Sequence, residues 1–246
     1  MANSPAIPAA TVVTVRERPG AAPELLMVER SEGMAFAAGA LVFPGGRIDD
    51  GDRRMAPTPD SAAAVAAVRE ALEETAIPIA LSPVPSSEAC LELQGELLAD
   101  IPFSRLLERH GLELRLAALI PIARWVPKFH ATRRFDTLFF LARAPVSDRA
   151  PNAVQGECSG AFWISAANAL DRERSGEARL IFPTRRNLER LAKHASFEAM
   201  RADAEAHAID PITPWVEQID GENFIKIAEG IGYPVTREKL DGLWRG

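Results

Sequence analysis

The chain has 246 residues, 47% of them apolar, and a formal net charge of −6. This length is sufficient for a sizeable buried core, whereas the acidic balance argues against general nucleic-acid binding, which depends on Lys and Arg neutralising phosphates. The longest uncharged apolar run, residues 116–123, is too short to span a bilayer. Two cysteines, and a first segment without the features of a secretory signal, predict a cytoplasmic protein with no membrane partner.

The first third of the chain predicts two strands, a glycine turn and a helix. Residues 11–16 and 24–30 alternate between apolar and polar types, which is typical of strands. The apolar residues 40–43 precede Pro44, Gly45 and Gly46, a combination that favours a tight turn with an exposed backbone. Asp60 and Ser61 are then candidates for the N-cap of a helix.

The predicted helix over residues 62–77 carries three acidic residues close together. At about 100° per residue, its apolar residues fall on one side and Glu70, Glu73 and Glu74 fall on the other. Two such charges ~6 Å apart repel by roughly 3 kcal/mol at an effective dielectric constant of about 20. Two explanations remain open: a solvated acidic face balanced by Arg69, or a site for a divalent cation, which prefers oxygen ligands and substrate phosphates.

The rest of the chain predicts further strands and helices. Residues 77–81 suggest a short strand, and helical spacing over 88–100 and 103–111 predicts an inserted helical lobe at about 86–112. Further predicted strands and helices follow, the strands at 114–126, 135–142 and 161–165 and the helices at 166–174 and 184–206. This order favours a mixed sheet with helices on both faces.

The last segment, residues 209–246, reads as a C-terminal extension of a domain that spans residues 1–208. It contains a strand-like stretch at 223–228. Trp215 and Trp244 are candidates to anchor the extension because large aromatic side chains bury much apolar area. It is expected to pack on the domain surface or, alternatively, on a second subunit in a homodimer.

Residues 46–77 resemble the Nudix box, whose pattern is G, five residues, E, seven residues and then REUxEExGU, with U aliphatic. Gly46 opens the match, and a list of six residues fills its second half: Arg69, Glu70, Ala71, Glu73, Glu74 and Ile77. Asp52 stands at the first glutamate and Ala76 at the last glycine. Sixteen residues instead of seven separate Asp52 from Arg69, which predicts an insertion near 53–61 and weakens the case for a role of Asp52.

Further residues resemble the coenzyme A diphosphatase subgroup with a long box insertion, to which a peroxisomal mammalian enzyme belongs. The upstream motif is carried by Arg30, Ser31, Met34, Gly39, Leu41 and the stretch 43–46, with Ala37 in place of a histidine. Downstream, residues 124–127, 133–137 and 139–140 fit the same subgroup.

The resemblance implies an α+β Nudix fold, in which a mixed sheet lies between helices, and a diphosphatase that uses Mg²⁺ or Mn²⁺. It implies metal ligation by Glu70, Glu74 and the Gly46 carbonyl, with Glu73 as a further ligand or a partner for Arg69, and with Arg69 orienting carboxylates. Glu157 is a candidate proton acceptor or a plain loop residue, and the candidate substrate-binding residues are Arg30, Lys128, Arg133 and Arg134. The implied substrate is coenzyme A or acyl-CoA; the alternatives are ADP-ribose or NADH, or a regulator that binds a nucleotide without turnover.

Overall fold

The computed structural model describes residues 5–31, 33, 37–127, 134–146, 149–154, 156 and 158–240. The strands are β1 Ile7–Arg16, β2 Glu24–Arg30, β3 Leu41–Val42, β4 Gly45–Arg47, β5 Leu81–Ser82, β6 Glu113–Leu114, β7 Ile120–Trp125, β8 Phe135–Arg143, β9 Cys158–Ser165, β10 Pro211–Ile212, β11 Trp215–Ile219, β12 Glu222–Lys226 and β13 Arg237–Lys239. The helices are α1 Asp50–Arg54, α2 Pro59–Thr75, α3 Ser87–Leu98, α4 Phe103–His110, α5 Ala166–Arg174, α6 Phe182–Leu191 and α7 Phe197–Glu205.

Eight of the described strands form one mixed sheet around β1 and β2. On one side of β1, β8 runs parallel to it over nine residue pairs, and β7 and β10 continue the sheet outward. On its other side, β1 pairs with β2 at only two positions and with β4 over residues 9–11. In turn, β2 pairs with β3 and, along its length, with β9. The two central strands therefore diverge, and β3 and β4 pair with their inner edges.

The sheet separates two hydrophobic clusters, because successive side chains of a strand point to opposite faces. Ala10, Val12 and Leu26 face the cluster built with α2, α3 and α4. Val13 and Leu25 face the other cluster, which includes side chains of α5, α6 and α7. This arrangement of a mixed sheet between helical layers confirms the predicted fold class. No helix in the described part of the chain is long and apolar enough to cross a membrane.

Several local predictions were wrong in detail. Gly45 and Gly46 lie in the extended strand β4 rather than in a turn, because the divergence of β2 leaves the edge of β1 available for pairing. Residues 77–81 form a strand only at Leu81–Ser82. The predicted strand over 114–126 is interrupted by a 3₁₀ helix at Leu116–Ala118. The predicted helix over 184–206 is two helices, α6 and α7.

The end of the chain packs onto the second cluster through residues other than the predicted anchors. Trp215 is 40% exposed, and Trp244 lies outside the described residues. Ile225, Ile227 and Tyr233 are buried instead. The Tyr233 hydroxyl accepts a hydrogen bond from Trp125 Nε1 (3.2 Å) and donates one to Asn187 Oδ1 (2.7 Å), which ties the end of the chain to β7 and α6.

Candidate active site

Helix α2 begins at Pro59, just before the residues that were predicted to cap it. Thr58 is the N-cap, its side chain accepts from the Ser61 N–H, and the Ser61 hydroxyl accepts from the Thr58 N–H. Pro59 at the first helical position suits a helix start, because its missing N–H would have no partner there. The predicted cap at Asp60 was therefore wrong by two residues. Alanines and valines of α2 are buried in the cluster on one face of the sheet, and Glu74 is buried with them and faces β4.

Two glycines of β4 receive the acidic side chains of α2. Gly45 N–H donates a hydrogen bond to Glu74 Oε2 (3.0 Å). A Cβ atom on Gly46 would collide with the carboxyl group of Glu70, which thus lies directly against the backbone. A Cβ atom on Gly45 would lie 2.5 Å from the Ala10 carbonyl oxygen of β1. Each glycine is required by close contact on a different side of the strand.

Arg69 holds the acidic residues together. Its Nε and Nη2 donate to both oxygens of Asp52 (3.0 Å each), a bidentate pair of the kind that fixes a guanidinium most firmly. Its Nη1 donates to Glu70 Oε1 (2.9 Å) and Glu73 Oε2 (3.1 Å), while Nη2 also donates to the Arg47 carbonyl (3.0 Å). One buried cation therefore orients two carboxylates of α2 and is itself positioned by Asp52.

The electrostatics of this cluster favour additional positive charge. The pKa of Glu70 is raised to about 7: burial raises it most, Arg69 opposes this, and the nearby charge of Glu73 adds to the rise. For Arg69, burial alone would lower the pKa, but the Asp52 hydrogen bonds and the surrounding carboxylates outweigh burial and raise it. A single guanidinium thus does not offset the cost of burying the Glu70 carboxylate.

The expected role of Asp52 is corrected by this geometry. The longer spacing to Arg69 weakened the case for Asp52, yet its side chain is only 1% exposed and contacts Arg69 directly. The short helix α1 makes this possible. It begins at a capping box in which the Asp49 N–H donates to Asp52 Oδ2 (2.9 Å). Folding of residues 49–54 therefore brings a residue seventeen positions away to the guanidinium.

The last turn of α2 is held by residues that the sequence did not single out. Gln94 of α3 donates from Nε2 to the Glu73 carbonyl (2.9 Å), and the Asn152 N–H donates to the Thr75 carbonyl (2.8 Å). Ala76, which replaces the glycine of the pattern, caps the helix at φ 55°. An L-residue in this left-handed conformation costs roughly 1–2 kcal/mol, which accounts for the glycine in the pattern.

The carboxylate oxygens of Glu70, Glu73 and Glu74 do not converge on one point. Across the described residues, the group of three whose possible ligand atoms lie within 4.8 Å of one another is Glu92, Glu96 and His110, in the helical lobe. Glu96 of that group is already paired with Arg109 (2.5 Å). In the box, Gly45 orients Glu74 and Arg69 orients Glu70 and Glu73, so the three side chains share one side of α2 without clustering tightly.

Comparison with solved structures identifies the family. A NUDIX hydrolase from Alicyclobacillus acidocaldarius is 30% identical to this chain. The match covers 81% of this chain and 97% of that one, with a TM-score of 0.69. The chain belongs to the Nudix hydrolase family. This Nudix hydrolase is therefore an enzyme, which disfavours the alternative of a non-catalytic regulator. Scans against family models and against curated proteins found no match.

More distant solved structures are also similar. The MutT protein from Methanosarcina mazei is 19% identical, with 78% of this chain and 97% of that chain covered and a TM-score of 0.47. A bifunctional NMN adenylyltransferase/ADP ribose pyrophosphatase from Francisella tularensis, solved with AMP and a Mn ion, is 19% identical, with 68% and 37% covered and a TM-score of 0.37. Neither likeness bears on the substrate of this Nudix hydrolase.

The sheet register brings several predicted site residues to one end of the molecule. Ala9 of β1 lies between Thr137 of β8 and Arg47 of β4, and the Arg134 carbonyl accepts from the Ile7 N–H (2.7 Å), so Arg134 lies at the end where β1 begins. Because β2 runs antiparallel to β1, it finishes at this same end.

Arg30 is the last residue of β2, and it pairs with Cys158, the first residue of β9. The described segments thus place Arg30, Arg134 and the β4 glycines at one end of the sheet. A further set of predicted residues lies outside the described part of the chain: Met34, Lys128, Arg133 and Glu157.

Proposed function

We propose that this Nudix hydrolase uses Mg²⁺ or Mn²⁺ to cleave the diphosphate bond of coenzyme A or acyl-CoA, releasing 3′,5′-ADP and (acyl-)4′-phosphopantetheine. Nudix hydrolases act on nucleoside diphosphate derivatives and generally use divalent metal ions. The proposal therefore concerns the ion, its ligands and the substrate. The observation that supports it best is the Glu70 carboxylate held directly against Gly46, where burial raises its pKa.

The donor set fits a hard divalent cation. Glu70, Glu73 and Glu74 supply carboxylate oxygens and Gly46 supplies a carbonyl oxygen, which are the ligand types that Mg²⁺ and Mn²⁺ prefer. When bound, the cation would neutralise charge on the diphosphate and make a water molecule more acidic. Its positive charge would also favour the ionised form of Glu70, whose burial alone opposes ionisation.

The chain's own residues orient the carboxylates of the proposed site. Asp52 fixes the guanidinium of Arg69, and Arg69 binds Glu70 and Glu73, of which Glu70 lies against Gly46 of β4. Glu74 is oriented separately by the Gly45 N–H. Arg69 thus acts by positioning carboxylates, because its donors are directed at them and at the Arg47 carbonyl. Glu157 stays the candidate proton acceptor, since it directly precedes β9 in the sequence.

The coenzyme A assignment depends on the sequence motif around Arg30 and on the charge expected at this end of the sheet. Coenzyme A carries a 3′-phosphate in addition to its diphosphate, so it needs cationic side chains beyond the metal site. Arg30 and Arg134 lie at the end of the sheet that carries Gly46, and Lys128 and Arg133 stand shortly before Arg134 in the sequence. The alternative is an ADP-ribose or NADH pyrophosphatase.

A substrate panel tests the proposal. Purified protein with Mg²⁺ is incubated with coenzyme A, ADP-ribose, NADH and diadenosine polyphosphates, and the products are separated by chromatography. Release of 3′,5′-ADP with 4′-phosphopantetheine supports the proposal, and turnover of ADP-ribose alone overturns the substrate. Glu74→Gln serves as the matched inactive control, because a glutamine oxygen can still accept from the Gly45 N–H. Turnover that survives chelation of divalent ions would overturn the metal dependence.

A further inference from the structure

The last turn of α2 is linked to two other parts of the chain through one buried amide. Gln94 of α3 is 3% exposed, and its Nε2 donates to the Glu73 carbonyl and the Asn152 carbonyl, both at 2.9 Å. Its Oε1 accepts from Asn152 Nδ2 (2.7 Å). The amide therefore uses both its donor hydrogens and its acceptor oxygen to join α2, the helical lobe and the segment before β9.

The link continues along the same turn. The Asn152 N–H donates to the Thr75 carbonyl (2.8 Å), and Arg149 Nη1 donates to the Ala76 carbonyl (3.1 Å). The last four carbonyls of a helix lack partners within the helix, and the last turn of α2 contains no Lys or Arg to supply them. Hydrogen-bond donors from α3 and from residues 149–152 thus satisfy the carbonyls of this turn and hold it in position.

Two of the three linked segments lead to residues of the proposed site. Gln94 binds the carbonyl of Glu73, whose side chain accepts from Arg69, and Glu74 is the next residue along. Asn152 belongs to the segment that leads, five residues later in the sequence, to Glu157. A shift of this link would therefore move the last turn of α2 relative to β4, to which Gly45 and Glu74 connect it.

We infer that Gln94 and Asn152 are positioning residues for the metal ligands on the last turn of α2. They act through Glu73 and Glu74 rather than on the substrate, since Gln94 contacts backbone carbonyls and Asn152. The inference depends on the proposed function, in which those glutamates bind the cation. Outer partners of metal ligands commonly change metal affinity or activity by about tenfold or more when they are removed.

The test compares variants that lose the polar link with a control variant that loses only core packing in the helical lobe. Gln94→Met keeps the volume of the side chain but removes the polar link, and Asn152→Ala removes the partner side chain. Leu107→Ala is the control, because Leu107 is a 7% exposed residue of the lobe core on α4. Each variant is compared with the wild type at a temperature where melting curves show it fully folded.

The readout is Mn²⁺ affinity, measured by electron paramagnetic resonance of free Mn²⁺ in the absence of substrate. Gln94→Met should weaken Mn²⁺ binding about tenfold, whereas Leu107→Ala should leave it within about twofold of the wild type. Asn152→Ala should weaken binding in the same direction. The double variant should bind Mn²⁺ no more weakly than Gln94→Met alone, because both changes remove one shared link.

Two kinds of failure are distinguishable. If the wild type binds Mn²⁺ and Gln94→Met binds it equally well, or loses only as much affinity as Leu107→Ala does, this inference is overturned. The proposed function would then stay intact. Absence of Mn²⁺ binding by the wild type overturns the proposed function and this inference with it. Amide hydrogen exchange without metal gives an independent check: Gln94→Met should speed exchange in the last turn of α2, and Leu107→Ala should not.

Discussion

Replacement of Gly46 by alanine tests the contact on which the proposed metal site depends. An ideal Cβ atom at this position would lie 2.5 Å from Glu70 Cδ and 2.8 Å from Glu70 Oε2, whereas ordinary contacts begin near 3.4 Å. The backbone of Gly46 can accept a side chain, since Gly46 is not among the described glycines with positive φ. The strain therefore falls on the carboxylate, not on the strand.

The expected effect is large for activity and small for stability. The Glu70 carboxyl group must retreat by about 1 Å, and a displacement of that size can cost roughly 100-fold in rate. Its hydrogen bond from Arg69 Nη1 would lengthen or break at the same time. Glu70 is 14% exposed, so a displaced side chain has water available, which keeps the loss of folding free energy to about 1–2 kcal/mol.

The assay measures kcat with Mg²⁺ on the substrate identified by the panel, together with Mn²⁺ affinity and the urea midpoint. Gly51→Ala is the matched control, because the nearest heavy atom to its Cβ is Arg54 Nη2 at 4.0 Å. That control should keep full activity and gain up to about 1 kcal/mol of stability from the added helical alanine. Full activity and unchanged Mn²⁺ affinity in Gly46→Ala would refute the assigned role of the Glu70 contact.

Three further changes address separate parts of the structure. Glu74→Gln should lower the rate by about 100-fold or more and abolish stabilisation by Mg²⁺, while the melting temperature without metal stays close to wild type because Gly45 keeps its acceptor; a large fall in that temperature would make the residue structural. Asp52→Ala leaves the buried Arg69 without its bidentate partner and should cost about 3 kcal/mol in urea unfolding, and an unchanged midpoint would contradict this. Tyr233→Phe should cost about 1–2 kcal/mol, because two buried hydrogen-bond partners lose their contact, and should leave kcat unchanged; a changed kcat would connect the end of the chain to the site.

The sequence was most informative where the chemistry is local. Helical spacing alone placed Glu70, Glu73 and Glu74 on one side of α2, and the structure buries Val65 and Leu72 as expected, but it buries Glu74 as well. The bounds of α3, α4 and α5 were predicted to within two residues, because amphipathic spacing reflects the buried side of each helix, whereas the single helix predicted over 184–206 is two helices.

The register of the sheet was not readable from the sequence. The divergence of β1 and β2 is a property of how the strands pair, and it turned the expected turn at Gly45 and Gly46 into a strand. The same pairing places Arg30 at the end of the sheet where β1 begins. Alternation of residue types predicts strands but does not specify their neighbours, because that choice depends on contacts between distant segments.

The amino-acid sequence by itself determined which side chains are available for a cation and that they share one side of a helix. Only the tertiary structure decided what holds them there. Asp52 reaches Arg69 across a long intervening segment, and Gln94 reaches the Glu73 carbonyl from another helix. Both links join residues far apart in the chain, and a buried polar group finds such a partner only after packing has excluded water.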